Sequence, residues 1–378
     1  MRDTGLECVC PPLYTTNGEG TYEISKEKIV RKSALALTVP AMIVLLGLSW
    51  LSGAAEAAEK TKIRVAAQAT SGQVFQFLAK DKGYLADEGI EVEMIYISNP
   101  TDAFSALGAG KVDVVSTYGT AGILMQINNG QKFSVFGGYM IIGAMPIFTK
   151  DAPYTGLESF RGRKIAVIRN GTGEIVLRGA LYDAGFDLEK DVTFVDVKRS
   201  TDILEAVRSG ACDFGALPTG FELQLADAGM KIVTWTDELW ANHSCCRMAS
   251  NAEWMEKNPA LVKGLLRAYL RAEHDMQRQE GVDQAVHLTM KELDMSEKLV
   301  RSFVESPHMK YDADPYKNSV LKMWKKMQQI GRIDKVNVNM ADHINTVIYK
   351  EALDSLLAEH PTDPFYLKKL DMFKQFNL

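Results

Sequence analysis

Asn170 to Gly173 read Asn-Gly-Thr-Gly, directly after the apolar run Ile165–Ile168 and before a stretch with Ile175, Val176 and Ala180 on one helical face. Glycines permit a sharp strand-to-helix turn, and the free backbone N–H groups at a helix start attract negative charge. Gly171, Thr172 and Gly173 are therefore candidate anion contacts. Lys111–Ile127 has a similar plan: an apolar strand ends at Thr117, Tyr118 and Gly119 turn the chain, and Thr120 opens a helix through Ile123 and Met125. The chemistry on offer is capture of an anion between two helix starts, each with a hydroxyl beside it. The plain alternative is that both threonines only cap helices. Neither loop cradles a nucleotide, because the lysine and spacing of GxxxxGK[ST] are missing and the glycines do not follow GxGxxG.

The elements that must position these loops alternate along the chain. From Ile63 to Ile147 short strands ("KIRVAAQ", "IEVEMIYI", "VDVVSTY") are separated by helical stretches ("GQVFQFLAKDKGYLADEG", "PTDAFSALGAGK"). A second unit repeats the rhythm with "KIAVI", "VTFVDV", "ACDFGAL" and "KIVTWT". Beyond Ala252 the chain turns helical, with Pro259 and Pro315 opening helices. Such β-α-β alternation predicts parallel sheets covered by helices, here an α/β chain of two lobes with a cleft between them. The expected division is a pre-segment and signal over 1–57, first lobe 58–148, second lobe 149–246, and a return to the first lobe with terminal helices over 247–378. The expected crossings are Pro146–Pro153 and His243–Ser250, extended segments that would make a hinge.

Composition narrows the function. The chain has 378 residues, 46% hydrophobic, and a formal net charge of −5. That charge leaves no electrostatic footprint for nucleic acid. Six histidines are scattered without HExxH, and no CxxC pair occurs, so neither metal nor cofactor is expected. Arg31-Lys32 precede the apolar run Ala34–Leu51, and Ala55-Glu56-Ala57 supplies a cleavage site before Ala58. This is the plan of a secretory signal and predicts a periplasmic protein; an uncleaved anchor is the alternative. The polar segment before Arg31, with Cys8 and Cys10, fits no signal plan and points to translation beginning near Val30.

Three stretches, "FLAKDKGYLADEGIEVEMI" (Phe77–Ile95), "LESFRGRKIAV" (Leu157–Val167) and "NPALVKGLLRAYLRA" (Asn258–Ala272), carry a resemblance in their order and spacing. The chain resembles the periplasmic solute-binding proteins of the nitrate/sulfonate/taurine class, which includes thiamine-precursor binders. The resemblance implies a bilobal type II periplasmic-binding-protein fold with two parallel-rich sheets and a helical C-terminal tail on the first lobe. It implies a monomer that closes on a small anion and delivers it to the permease and ATPase of an ABC importer. It places ligand contacts at Gln68, Ser71, Tyr118, Gly119, Thr120, Thr172, Gly173, Pro218 and Glu222. Gln73, Thr117 and Gly171, on the same loops, and His243, beside the paired cysteines, complete the candidate set. Glu222 would repel a bare anion, and its plainer role is a solvated or capping glutamate; Tyr118 could equally stack on a ligand or pack.

Cys245-Cys246 and Cys212 make three thiols after the signal, an odd number for an oxidising compartment. Structural packing is the first expectation and a disulfide from Cys212 to one of the pair the second. His243 beside the pair suggests a soft-metal or nucleophile site, as in enzymes of the same fold that make a thiamine pyrimidine precursor. The run is too short for their cysteine-rich motif, so no catalysis is expected. A membrane-anchored sensory module is the remaining alternative.

Overall fold

The computed structural model describes residues 60–69 and 73–378; the signal segment and Ser71 lie outside the described residues. The first part of the chain runs β1 (Thr61–Ala67), α1 (Val74–Asp81), α2 (Tyr84–Asp87), β2 (Ile90–Tyr96), α3 (Pro100–Gly108), β3 (Val114–Val115), α4 (Thr120–Asn128), β4 (Phe133–Gly138) and β5 (Met140–Gly143). Then come β6 (Pro146–Thr149), β7 (Lys164–Ile168), α5 (Thr172–Asp183), β8 (Thr193–Val197), α6 (Ser200–Arg208), β9 (Phe214–Ala216), α7 (Glu222–Asp227), β10 (Lys231–Trp235) and α8 (Thr236–Leu239). The last part holds β11 (Arg247–Asn251), α9 (Ala252–Lys257), α10 (Pro259–Asp275), α11 (Gln279–Leu293), α12 (Glu297–Val304), β12 (Met309–Tyr311), α13 (Lys317–Gln329), α14 (Val347–Glu359) and α15 (Pro364–Asn377).

Two five-stranded sheets result, ordered β2-β1-β3-β11-β4 and β10-β6-β9-β7-β8. In the first, β2, β1 and β3 are parallel and β11 runs against both neighbours. In the second, β8, β7 and β9 are parallel and β6 runs against β9 and β10. The α/β, parallel-rich reading therefore holds, with one returning strand inserted in each sheet. The apolar runs become strands because they are buried on both faces: Ile165, Ala166 and Val167 of β7 are fully enclosed.

Local differences from the sequence reading have physical causes. The single helix expected through Gly89 is two, since Gly83 adopts φ +78 between α1 and α2. Pro259 starts α10 at its first turn, whereas α13 starts after Tyr316, two residues beyond the expected Pro315. The first crossing comes before Pro146, because Pro146–Thr149 already pairs as β6 in the second sheet. Pro146 opens that strand, where its missing N–H is tolerated.

The tail helices complete the first lobe. Phe75 and Leu78 of α1, Leu265 and Tyr269 of α10, Leu353 of α14 and Phe373 of α15 share one buried core with β1. Beside it, Lys369 of α15 is buried in contact with Glu273 and Asp312. A second core joins Phe104, Leu124 and Val115 to Trp324 and Met323 of α13, and to Ile175 and Val176 of α5. Thus α13 packs on α4 and on α5, one helix from each lobe. Among the described residues no helix is long and apolar enough to cross a membrane.

Candidate ligand-binding site

Both candidate loops leave the carboxyl ends of central strands, where open α/β sheets collect their ligands. β3 runs through Ser116–Gly119 into α4, and β7 runs through Arg169–Gly171 into α5. The helix N-caps are Gly119 and Gly171; Thr120 and Thr172 are first helical residues, and neither hydroxyl caps its helix. The two starts face each other closely, since a Cβ on Gly119 would lie 3.3 Å from Thr172 Oγ1. Gly119 has φ −58, so its lack of a side chain serves that approach and not an unusual backbone. Gly173 lies under Met145, whose Sδ would be 2.6 Å from an added Cβ.

The two threonines are differently employed. Thr120 is fully buried; its hydroxyl donates to the Cys245 carbonyl at 2.7 Å, its N–H donates to the same oxygen at 2.7 Å, and Ser244 Oγ donates to its hydroxyl at 3.1 Å. Thr172 is 2% exposed, and its hydroxyl lies near enough to the Cys245 thiol to help lower its pKa. Cys245 is held between the two lobes' helix starts. The segment it belongs to crosses between the lobes beside the other crossing: Cys245 N donates to Ile141 O at 3.1 Å, Cys246 N to Met140 O at 2.9 Å, and Thr236 N to Met145 O at 3.1 Å.

All three thiols are free and buried, with Cys245 and Cys246 Sγ atoms 3.4 Å apart and unbonded. The expected disulfide from Cys212 is not formed. The Cys245 thiol is pulled down by donation from Cys246, with further help from the Arg247 charge, while Cys246 is pushed up by its neighbour and by burial. Arg247 is itself buried, donating to the carbonyls of Pro315 at 2.7 Å and Cys246 at 3.1 Å, and burial lowers its pKa. Among the described residues no group of three or more His, Cys, Asp or Glu side chains is placed to hold a metal ion.

The remaining candidates divide. Thr117 Oγ1 accepts from Gln68 N at 2.8 Å, Gln68 Nε2 donates to Ser98 O at 3.1 Å, and Gln73 Nε2 donates to Gln68 O. Gln73 is fully buried with its Oε1 unpartnered, and neither it nor Gln68 lines the cavity described below. Tyr118 packs instead of presenting a face: it is 1% exposed, donates to Ile97 O at 2.7 Å and meets Phe104 edge-on. His243 is fully enclosed, its Nδ1 3.2 Å from Trp240 O, and burial drops its pKa to about 4. It is a neutral packing group and the structure does not bring it to the cleft. Pro218 is half-buried after β9, and its neighbour Thr219 donates to Ala144 O at 2.7 Å. Glu222 Oε2 accepts from Gly220 N at 2.9 Å while Oε1 is buried without a partner, and burial raises its pKa. That bond reaches back to a residue before α7, whose N-cap is Phe221, so Glu222 does not take the capping role expected of it.

Sequence reasoning missed the cations. A cavity of about 690 Å³ opens between the lobes, reached by both Gly119 and Gly171. Its first-lobe wall includes Asn99, Thr101, Phe104, Met125, Gln126 and Asn129, and its second-lobe wall carries Arg169, Lys198 and Arg199. No lining residue is acidic. The signal was legible: "IRN" and "VKRS" put cations just past the carboxyl ends of β7 and β8, the edge of the sheet that meets ligands. Behind the loop, Glu174 is also unanticipated. It is fully buried, its Oε2 accepts from Asn170 N at 3.1 Å, and it pairs with Arg178 and with Arg332 of the tail.

No curated protein matches the sequence significantly. Several solved structures share the architecture. The periplasmic aliphatic sulphonate binding protein SsuA of Escherichia coli is similar at 17% identity and TM-score 0.61, over 73% of this chain and 89% of that one. The periplasmic nitrate-binding protein NrtA of Synechocystis PCC 6803 is similar at 18% identity and TM-score 0.64, over 79% and 89%. A Candida albicans gene product described as having the generic periplasmic binding protein structural fold is similar at 14% identity and TM-score 0.57, over 78% and 95%. At these identities they establish the fold, which is that of the bilobal periplasmic binding proteins. The sequence itself matches the family described as NMT1/THI5 like over residues 73–280, more than half its length, and the chain belongs to that family.

Proposed function

We propose that the chain is a periplasmic substrate-binding protein that captures a small organic or inorganic anion and delivers it to an ABC importer, without covalent chemistry. The observation that carries this reading is the opposition of two helix starts, Gly119-Thr120 and Gly171-Thr172, from different sheets at their strands' carboxyl ends. Helix starts carry partial positive charge, and two of them converging favour a negative ligand even though Thr120 N–H in α4 is already taken by the Cys245 carbonyl. The uncharged and basic cavity lining agrees with that sign, although the whole chain is net negative. The sulphonate- and nitrate-binding proteins named above share the fold and bind anions, which supports the same use here. Binding free energy then offsets the cost of closing the lobes. Export through the segment ending near Ala57 belongs to the same proposal.

The test is a thermal-shift screen over nitrate, sulfonates, taurine, bicarbonate, carboxylic acids and pyrimidines. A true ligand at about a hundred times its Kd adds about 2.7 kcal/mol of stability. If cations shift the melting temperature and every anion leaves it unchanged, the anion reading is wrong.

A further inference from the structure

Resting on the cleft as an anion site, we propose that its solute is an organic acid with two separated negative charges on an apolar body, and that Lys198, with Arg169 and Arg199, selects for the second charge. The cavity of about 690 Å³ is far larger than a three-oxygen inorganic ion fills. Its lining also joins two features. One is the pair of helix starts at Gly119 and Gly171. The other is a basic edge that begins at Arg169, two residues before Gly171, and continues on the next strand: β7 and β8 are parallel with Ile168 opposite Val197, so Arg169 and Lys198 emerge side by side and Arg199 follows as the N-cap of α6.

The three cations are not equivalent. Arg169 has Asp196 at 3.6 Å and Arg199 is held by Asp202 at 2.7 Å, whereas Lys198 has no ion-pair partner among the described residues. Lys198 therefore offers the least compensated charge. The wall opposite supplies no competing carboxylate and includes Phe104 and Met125, apolar surface suited to a carbon skeleton. A monoanion gripped at the helix starts would leave the basic edge unused. A dianion would engage both features.

The experiment is calorimetric titration of the signal-free chain with methanesulfonate and benzoate as monoanions, and with succinate, glutarate, phthalate and terephthalate as dianions. At least one dianion should bind more tightly than either monoanion. Lys198→Ala should weaken that dianion about five- to tenfold at low ionic strength and benzoate less than about twofold, with the difference shrinking in about 0.5 M salt. Lys190→Ala, which removes an exposed lysine paired with Asp187 on the same lobe, should change neither and controls for net charge. If monoanions bind as tightly as every dianion, or Lys198→Ala leaves the dianion affinity intact, the inference is overturned while the anion site stands. If none of the six acids binds, and the wider anion screen is also silent, both fall together.

Discussion

Glu174→Gln tests the tie between the second lobe's ligand helix and the tail. The Glu174 side chain has no exposed surface, and Arg178 and Arg332, about a tenth exposed, both point at its carboxylate. The Arg178 guanidinium also lies 3.9 Å from the Phe194 ring centroid, and its burial lowers its pKa despite the neighbouring carboxylate. Neutralising Glu174 leaves two desolvated cations beside each other. Removing one member of a buried ion pair costs about 3–5 kcal/mol. Glutamine keeps the shape and the acceptor for Asn170 N, so about 3 kcal/mol is expected for Glu174→Gln and more for Glu174→Ala. Urea unfolding at pH 7 reads this as a lower midpoint with an unchanged slope. Adding Arg332→Met should recover part of the loss, a coupling of about 1–3 kcal/mol in a double-mutant cycle. A loss below about 1 kcal/mol, or strict additivity with Arg332→Met, would refute the buried triad.

Thr172→Ala should weaken anion binding tenfold to a hundredfold, about 1.5–3 kcal/mol for a hydrogen bond to a charged acceptor, provided the buried hydroxyl turns from the Cys245 thiol to the ligand as the lobes close. Thr120→Ala should do the reverse, costing about 1 kcal/mol in the empty protein because its hydroxyl is spent on the Cys245 carbonyl; a purely ligand-side loss there contradicts the geometry. Burial depresses the His243 pKa from 6.5 to about 4, so the unfolded chain takes the proton first: this stabilisation is complete above about pH 6.5 and is lost as pH falls towards 4. The stability gap between the natural chain and His243→Gln should narrow by roughly 3 kcal/mol over that window. Asp314, raised to about 6, and Glu273, raised to about 8, act oppositely and destabilise as pH rises, so only the difference between variants isolates His243. Alkylation after non-reducing denaturation should label Cys212, Cys245 and Cys246 alike; protection of any pair would contradict the free thiols.

The two-lobe architecture was readable because it rests on period and punctuation. β7 is an unbroken apolar run, α5 an amphipathic stretch behind glycines, and the alternation of such pairs admits few topologies. The helix starts were readable for the same reason. What escaped were facts of long-range contact. Nothing in "SCCRMAS" shows that one carbonyl there takes both donors of Thr120, and nothing local shows Glu174 meeting Arg332, 158 positions away. Tyr118 and His243 have residue types suited to ligands, but burial decides their roles, and burial is a property of the assembled lobes. The cations Arg169 and Lys198 were missed although their strand ends were recognised, since a basic residue on a charged chain looks like solvated surface until its cavity is seen.

The double attachment of Thr120 to Cys245 has a mechanical consequence. The crossing segment that holds Cys245 is fastened directly to the first lobe's ligand helix, and the same cysteine lies beside Thr172 of the second. Were the lobes to turn about the two crossing segments, the helix starts tied to Cys245 would stay near the pivot, where displacement per degree is small. Lys198, after the edge strand β8 and three strands from β6, would swing on the longer arm. A ligand held only at the pivot exerts almost no torque, while one that also reaches the outer edge pulls with leverage, so the length of a solute, as much as its charge, would govern how firmly the jaws stay shut.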